Sequence, residues 1–417
     1  MMKRFLHAIA VVALTAFWPH SAHAQNDIIG LEAFDGRLDI RASVVGGEPG
    51  WLDGGFGKLR EGGKDGETEP RLTLAAADLA WKPRFSWNLT GLVSITHQRE
   101  LSNDVDISEA YIEFRSDPAP TRFAVRAGAM WPPVSMEHSG SNWEVTDSIT
   151  PSAANSWIGE EIKVLAFEAS VERSFGEHEL KLTAATFLHN DLSGTLLFYR
   201  GWSLNDFRVT VDAEHPLPPL APASADKQDR ISTTFWELDD RAGYYARIDY
   251  TPPLPVTFNL FRYDNLGDHV STREKQIQWL TRFWNFGVAA RLDEQTVAKA
   301  QVMWGNTAAG AETPLGLPGD MDFATAYLLV SRDIGDGRLT VRGDWFETTD
   351  NTYVAENNNN EEGWSAMAAY KHPVTDFADV VVELIHVDSD RPGRALYGNW
   401  AAQQSQTMFQ TAVRLSF

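Results

Sequence analysis

Side-chain character alternates with period two along most of this chain. In residues 34–44, Phe34, Gly36, Leu38, Ile40, Ala42 and Val44 form one set, and Asp35, Arg37, Asp39, Arg41 and Ser43 form the other. The same pattern runs through residues 85–96, 122–127 and 338–345. A β-strand sends successive side chains to opposite faces, whereas a helix repeats every 3.6 residues. The chain therefore reads as all-β, with one apolar and one charged face to each strand.

A soluble sandwich also wets one face and buries the other, so alternation alone does not fix the architecture. Segment length narrows the choice. The alternating stretches run to about 10–14 residues, beyond the usual 5–6 of globular strands, and about 9–11 suffice to cross a bilayer with tilt. The connections then alternate in length. Short ones fall at Lys82-Pro83, 117–120, 175–178, 252–255, Asp293-Glu294, 334–337 and 373–376. Long polar ones fall at 46–70, 98–106, 132–160, 191–240, 265–275, 306–321, 348–362 and 389–404. Fifteen connections make sixteen strands, and short turns alternating with long loops is the pattern of bacterial outer-membrane barrels. The expected fold is a transmembrane antiparallel β-barrel. Phe207, Val209 and Val211 alternate inside 191–240, which leaves an eighteen-stranded count open. No apolar run reaches the ~18 residues that a helical span requires.

Residues 1–24 read as a cleaved signal peptide: Lys3 and Arg4, an apolar stretch over 5–18, then Ala22-His23-Ala24. Residues 25–417 are left for the barrel. The 417-residue chain has no Cys, which removes disulfides, thiolate zinc sites and Cys nucleophiles together. Its net charge of −21 argues against nucleic acid as a partner. No cofactor is implied.

Most of the surplus acid lies in the long loops. The wet faces of the strands are instead rich in Arg: Arg37, Arg41, Arg115, Arg122, Arg126, Arg241, Arg247, Arg338, Arg342 and Arg414, with Lys181, against Asp35, Asp39, Glu109, Glu113, Glu168, Glu172, Asp249 and Asp344. On the lipid side an Arg or Lys costs about 2–4 kcal/mol near the midplane, so these residues are expected to line a wet lumen. Trp81, Phe85, Trp131, Tyr250, Tyr263, Trp304, Trp345, Trp364 and Tyr370 sit near strand boundaries, where interface girdles use aromatic rings.

The stretch 132–160 is unusual for a solvated loop. It opens on Pro132-Pro133, carries Trp143 and Trp157, and contains Glu137, Glu144, Asp147 and Glu160. With Ser108-Glu109-Ala110-Tyr111-Ile112-Glu113-Phe114, Arg126-Ala127-Gly128 and the terminal Phe417, the chain resembles the Gram-negative porin superfamily, most nearly the phosphate-selective, porin O/P type branch. The likeness is best over about 106–161. It implies a barrel of sixteen or eighteen strands in the outer membrane, a homotrimer, and the third long loop folded inward as a constriction carrying Glu137, Glu144 and Asp147. It also implies contact with outer-membrane lipid and lipopolysaccharide, and a C-terminal signal of Val413, Leu415 and Phe417 read by the barrel assembly machinery. The implied function is a water-filled channel for passive diffusion of small hydrophilic solutes or ions. One departure stands out: 132–160 holds no Lys or Arg, where the phosphate-selective branch has a cationic constriction. The Arg pairs Arg37/Arg41, Arg122/Arg126 and Arg338/Arg342 could oppose the loop acids across a lumen, pair with acids along the wall, or form a substrate ladder.

Two other classes compete with a non-enzymatic channel. A barrel enzyme of lipase or protease type would need an assembled set such as His138-Ser139 with Asp147, His189-Asn190-Asp191, or Asp264, Asp268 and His269. A soluble periplasmic β-protein would bury its apolar strand faces against each other. No H-E-x-x-H, Walker A or G-x-G-x-x-G pattern is present.

Overall fold

The structure, a computed structural model, describes residues 28–63, 66–99, 102–353, 358–396 and 400–417. The expected leader over residues 1–24 lies outside them. Sixteen strands form one closed antiparallel barrel in chain order. They are β1 (Phe34–Gly47), β2 (Gly66–Trp81), β3 (Leu89–His97), β4 (Asp106–Arg115), β5 (Thr121–Met130), β6 (Val164–Phe175), β7 (His178–Leu188) and β8 (Gly243–Thr251), then β9 (Val256–Asp264), β10 (Leu280–Arg291), β11 (Thr296–Ala309), β12 (Gly319–Ile334), β13 (Gly337–Asp350), β14 (Glu361–Thr375), β15 (Ala378–Asp390) and β16 (Gln403–Ser416). β1 and β16 close the ring, with Leu38 opposite Leu415 and Val44 opposite Phe409. Closure leaves no unpaired edge, the condition for strands to stand in hydrocarbon.

Burial along β1 is inverted relative to a soluble sandwich, while toward the long-loop ends of β7–β13 the enclosed side chains include Phe187, Phe261, Tyr263, Phe283 and Phe323. In β1 the charged side chains are the enclosed ones, with Asp39 at 0% and Arg41 at 5% exposure, while Leu38, Ile40 and Val44 stand at 39–43%. The apolar faces point out of the ring and the polar faces into it. On the outer face Trp284 lies opposite Trp304, and Trp345 opposite Trp364, toward the strand ends that carry the long loops. These four rings make an interface girdle. Trp131 and Tyr263 do not join it, contrary to expectation. Trp131 is buried in the third long loop, and Tyr263 faces inward, stacked on Phe187 and Phe283 at 5.0 and 4.9 Å.

The turns and loops alternate as the sequence indicates, and the count is sixteen. The segment 189–242 adds no barrel strand. Its Phe207, Val209 and Val211 are buried and extended, but their stretch finds scattered partners. Val209 N–H donates to Gly159 O (2.8 Å) and Val211 N–H to Ile107 O (3.0 Å), while Leu204 N–H upstream donates to Lys58 O (2.8 Å). A segment that satisfies its backbone on three different elements runs through the barrel mouth rather than extending its wall.

Candidate channel constriction

The third long loop, residues 131–163, lies inside the barrel. Residues 138–139 pair with 144–145 in a short hairpin, and the loop then enters helix α1 (Ala153–Glu161). Ser152 caps α1 through its side chain, accepting from Asn155 N–H at 3.3 Å. Glu137 reinforces that cap, accepting from Ser152 N–H (3.0 Å) and Asn155 Nδ2 (2.6 Å). A carboxylate is favoured there by the unpaired amides and the positive end of the helix.

Each acid singled out in this loop meets a wall cation. Glu137 pairs with Arg342 (3.2 Å), Glu144 with Arg37 (2.6 Å), and Asp147 with Lys299 (2.9 Å) and Arg338 (3.2 Å). From the wall, Glu383 accepts from Ile149 N–H (2.6 Å) and Thr150 N–H (3.0 Å), and Arg414 donates to Val145 O (3.0 Å). The loop is thus buckled onto β1, β11, β13, β15 and β16. Its acids do not oppose the Arg residues across open water; they neutralise them in contact, through charge-assisted hydrogen bonds.

Among the described residues, most other wall cations are also paired, Lys181 excepted. Asp39 holds three guanidinium groups, those of Arg37 (3.1 Å), Arg41 (2.9 Å) and Arg414 (3.1 Å). Arg126 pairs with Glu168 (2.7 Å), Arg247 with Asp249 (2.6 Å), and Arg122, near the short-turn end, with Glu172. Arg241 departs from its expected place in the wall. It precedes β8, is largely exposed, and faces Asp239 and Asp268 at 3.7 Å among the long loops.

The inward fold is expected of the third loop; inside the barrel the third loop packs against residues 189–242 as well. This fourth long loop, residues 189–242, fills space beside it. Its helix α2 (Thr195–Arg200) ends on Arg200, which pairs with Glu160 of α1 at 2.7 Å, both fully enclosed. Trp157 of α1 packs edge-on against Trp202 (6.1 Å), Phe283 (5.4 Å) and Phe323 (5.1 Å). The half of the lumen nearest the long loops therefore holds an apolar core, not open water. The apolar content of 196–211 was the available signal: an outer loop tip does not need Leu196, Leu197, Phe198 and Trp202. The first long loop contributes Arg60, which pairs with Asp206 (2.8 Å). It also contributes Lys58, which burial pushes down to about 8 although Glu361 pairs with it.

Between residues 131–143 and β4–β8 a cavity of about 390 Å³ remains, lined among others by Arg126, Lys181, Arg247, His138 and Trp143. A larger hollow of about 560 Å³ lies outside the barrel, between the outward Trp284 and Trp304, and does not belong to the lumen.

The residues weighed for catalysis are engaged otherwise. His138 Nδ1 meets Ser135 Oγ at 2.8 Å; burial pushes His138 down to about 3, so its ring is neutral. Asp147, the acid such a set would need, is committed to Lys299 and Arg338. His189 stacks on Phe235, and Asp264 pairs with Arg262. Asp191, Glu237 and Asp239 bring carboxylate oxygens within 4.8 Å of one another, the one geometry among the described residues that could hold a metal ion. Burial raises Asp191 to about 7, with a further push from Glu237 and Asp239, so this cluster retains a proton near neutrality.

No family model matches the sequence, and no curated protein matches it. Solved structures do share the fold. The outer-membrane channel DcaP of Acinetobacter baumannii aligns with a TM-score of 0.54 at 12% identity, over 92% of this chain and 96% of that one. OprB of Pseudomonas putida gives 0.51 at 11% identity, over 93% and 94%. An anion-selective porin from Comamonas acidovorans gives 0.50 at 11% identity, over 92% and 98%. The fold is that of outer-membrane porins and channels.

Proposed function

We propose that this chain is an outer-membrane channel of porin type, passing small hydrophilic solutes or ions down their gradients. The observation that carries this reading is the inverted burial of the barrel. On β1, β13 and β16 charged side chains are enclosed and apolar ones stand outside, as required of a wall between lipid and a polar lumen. The loops make it a narrow channel. The third and fourth loops fill the barrel from one side, and the passage beside β4–β8 is the route left. Its residues replace part of a solute's hydration, which makes the channel selective.

Residues 1–24 serve as the export signal in this reading, and Val413, Leu415 and Phe417 as the signal to the assembly machinery. The porins' trimeric habit extends to this chain, with lipopolysaccharide and lipid against its outer face. A phosphate-selective constriction is not part of the proposal, because the third loop supplies no cation to build one.

Planar-bilayer recording of the purified chain tests the function. Stable stepwise conductance in KCl is the expected result. A protein that inserts into vesicles but carries no current and leaks no small solute would overturn it.

A further inference from the structure

The passage beside β4–β8 presents two unlike surfaces. On the loop side three rings lie face to face. His138 stacks on Trp143 (3.7 Å between centroids, 8° between planes), and Trp143 stacks on Trp131 (4.2 Å, 6°). Lys163 Nζ lies 3.9 Å from the Trp131 ring, a cation–π contact at the far end of the stack. Trp143 is held at a backbone φ of 45°, in the left-handed region that a bulky side chain avoids. The stack persists against that strain, and strain of this kind concentrates at functional sites.

On the barrel side, Arg126 and Arg247 are neutralised by Glu168 and Asp249. Glu109 is buried and turned toward the Trp131 backbone, accepting from its N–H at 3.3 Å. Lys181 of β7 differs from these. It is exposed, shares the lumenal face with Thr183, and makes no ion pair or hydrogen bond among the described residues.

We propose that this passage is a binding station for ring-bearing monoanions, in which the solute's ring packs at the His138–Trp143 end of the stack and its anionic group meets Lys181. This rests on the channel reading and names its preferred solute class. A neutral ring gains only the stacking surface, and an aliphatic anion gains only the ammonium. A ring carrying one anionic group gains both in one cavity. Glu168 and Asp249 offset Arg126 and Arg247, Glu109 is buried, and Lys181, flanked across the sheet by Glu172 and Asp249, is the cation left exposed to a solute.

The test uses permanently ionised probes with the full-length chain. Benzenesulfonate, methanesulfonate and phenyltrimethylammonium are added separately to single channels in KCl. The expected result is partial block by benzenesulfonate at a concentration at least threefold lower than methanesulfonate requires, with no comparable block by the cation. Lys181→Gln and His138→Ala should each raise the blocking concentration at least threefold. Equal block by the two sulfonates, or block retained in both variants, would overturn the proposal and leave the channel reading intact. Saturation-transfer NMR on the detergent-solubilised chain reads the site without any current. Transfer to benzenesulfonate ring protons that is lost in both variants supports the station even for a silent barrel, and no transfer in the unaltered chain overturns it.

Discussion

Arg342 of β13 and Glu137 of the third loop meet at 3.2 Å with essentially no solvent at either side chain. The guanidinium also donates to Asp344 (2.9 Å) and to Thr150 O (2.6 Å), so one wall residue holds both ends of the stretch 137–150. Removing Glu137 leaves the buried guanidinium paired with Asp344 alone, so the cost falls below the ~3–5 kcal/mol of stranding a buried charge outright. Glu137→Ala should therefore release the loop from β13, raise single-channel conductance and lower the unfolding temperature. Glu137→Gln keeps acceptors for Ser152 and Asn155 and should do less of both. Unchanged conductance in Glu137→Ala would mean that this buckle does not set the opening.

Val341 and Arg342 are neighbours on β13 with opposite surroundings. Val341 is exposed on the outer face at 46%, and Arg342 is enclosed at 3%. If the outer face meets hydrocarbon, Val341→Arg should cost about 2–4 kcal/mol in reversible folding into vesicles. In detergent, where the chain of an Arg can reach water easily, the cost should be much smaller. An equal and small effect in both media would place Val341 outside the lipid zone.

The carboxylates of Asp191, Glu237 and Asp239 tie the start of the fourth loop to its end. Asp191 accepts from Leu238 N–H and is raised to about 7, above its unfolded value of 3.8. The protonated form is the one the folded loop favours, so this contribution to docking is full below about pH 4, declines as pH rises, and is lost by about 7. Lys163, pushed down to about 7 by burial, works in the opposite sense at the loop's contact with Val209 O, since docking favours its neutral form. Asp191→Asn isolates the first effect. Protection of the amides near residues 189–191 and 236–239, corrected for intrinsic exchange, should fall between about pH 4 and 7 in the unaltered chain and change little in the variant. Protection that is independent of pH in both would remove the proton from this cluster.

Much of this was legible in the chain. Period two, segment length and alternating connections led to sixteen strands, and the inward direction of Arg37, Arg41, Arg342 and Arg414 followed from the cost of putting them in lipid. The pairing of the third-loop acids was not legible. Glu137 and Arg342 lie 205 positions apart, and no local pattern reports a contact that a loop makes after entering a lumen. The fourth loop misled for a related reason. Phe207, Val209 and Val211 alternate as a strand does because an extended segment crowded between loops and wall also has two environments. What separates the cases is the partner of its backbone, which sequence does not carry.

The seam between first and last strands, paired from Arg37/Ser416 to Val45/Met408, ends in a reciprocal pair of backbone bonds, with Gly36 N–H donating to Phe417 O and Phe417 N–H to Gly36 O, each at 3.1 Å. The Phe417 ring lies directly over Gly36, where a Cβ would fall 2.0 Å from the ring. A glycine in a strand leaves its backbone bare, and an aromatic ring laid across it restores the missing cover. Gly36→Ala must turn the ring away, and Phe417→Ala removes it, so both lose one and the same contact. Each single change should lower the temperature at which the barrel loses its compact gel migration. The double variant should be little worse than either, with a coupling of about 1 kcal/mol between neighbours that share a contact. Strictly additive losses would show that the ring and the glycine act separately, and that the seam is held by its backbone bonds alone.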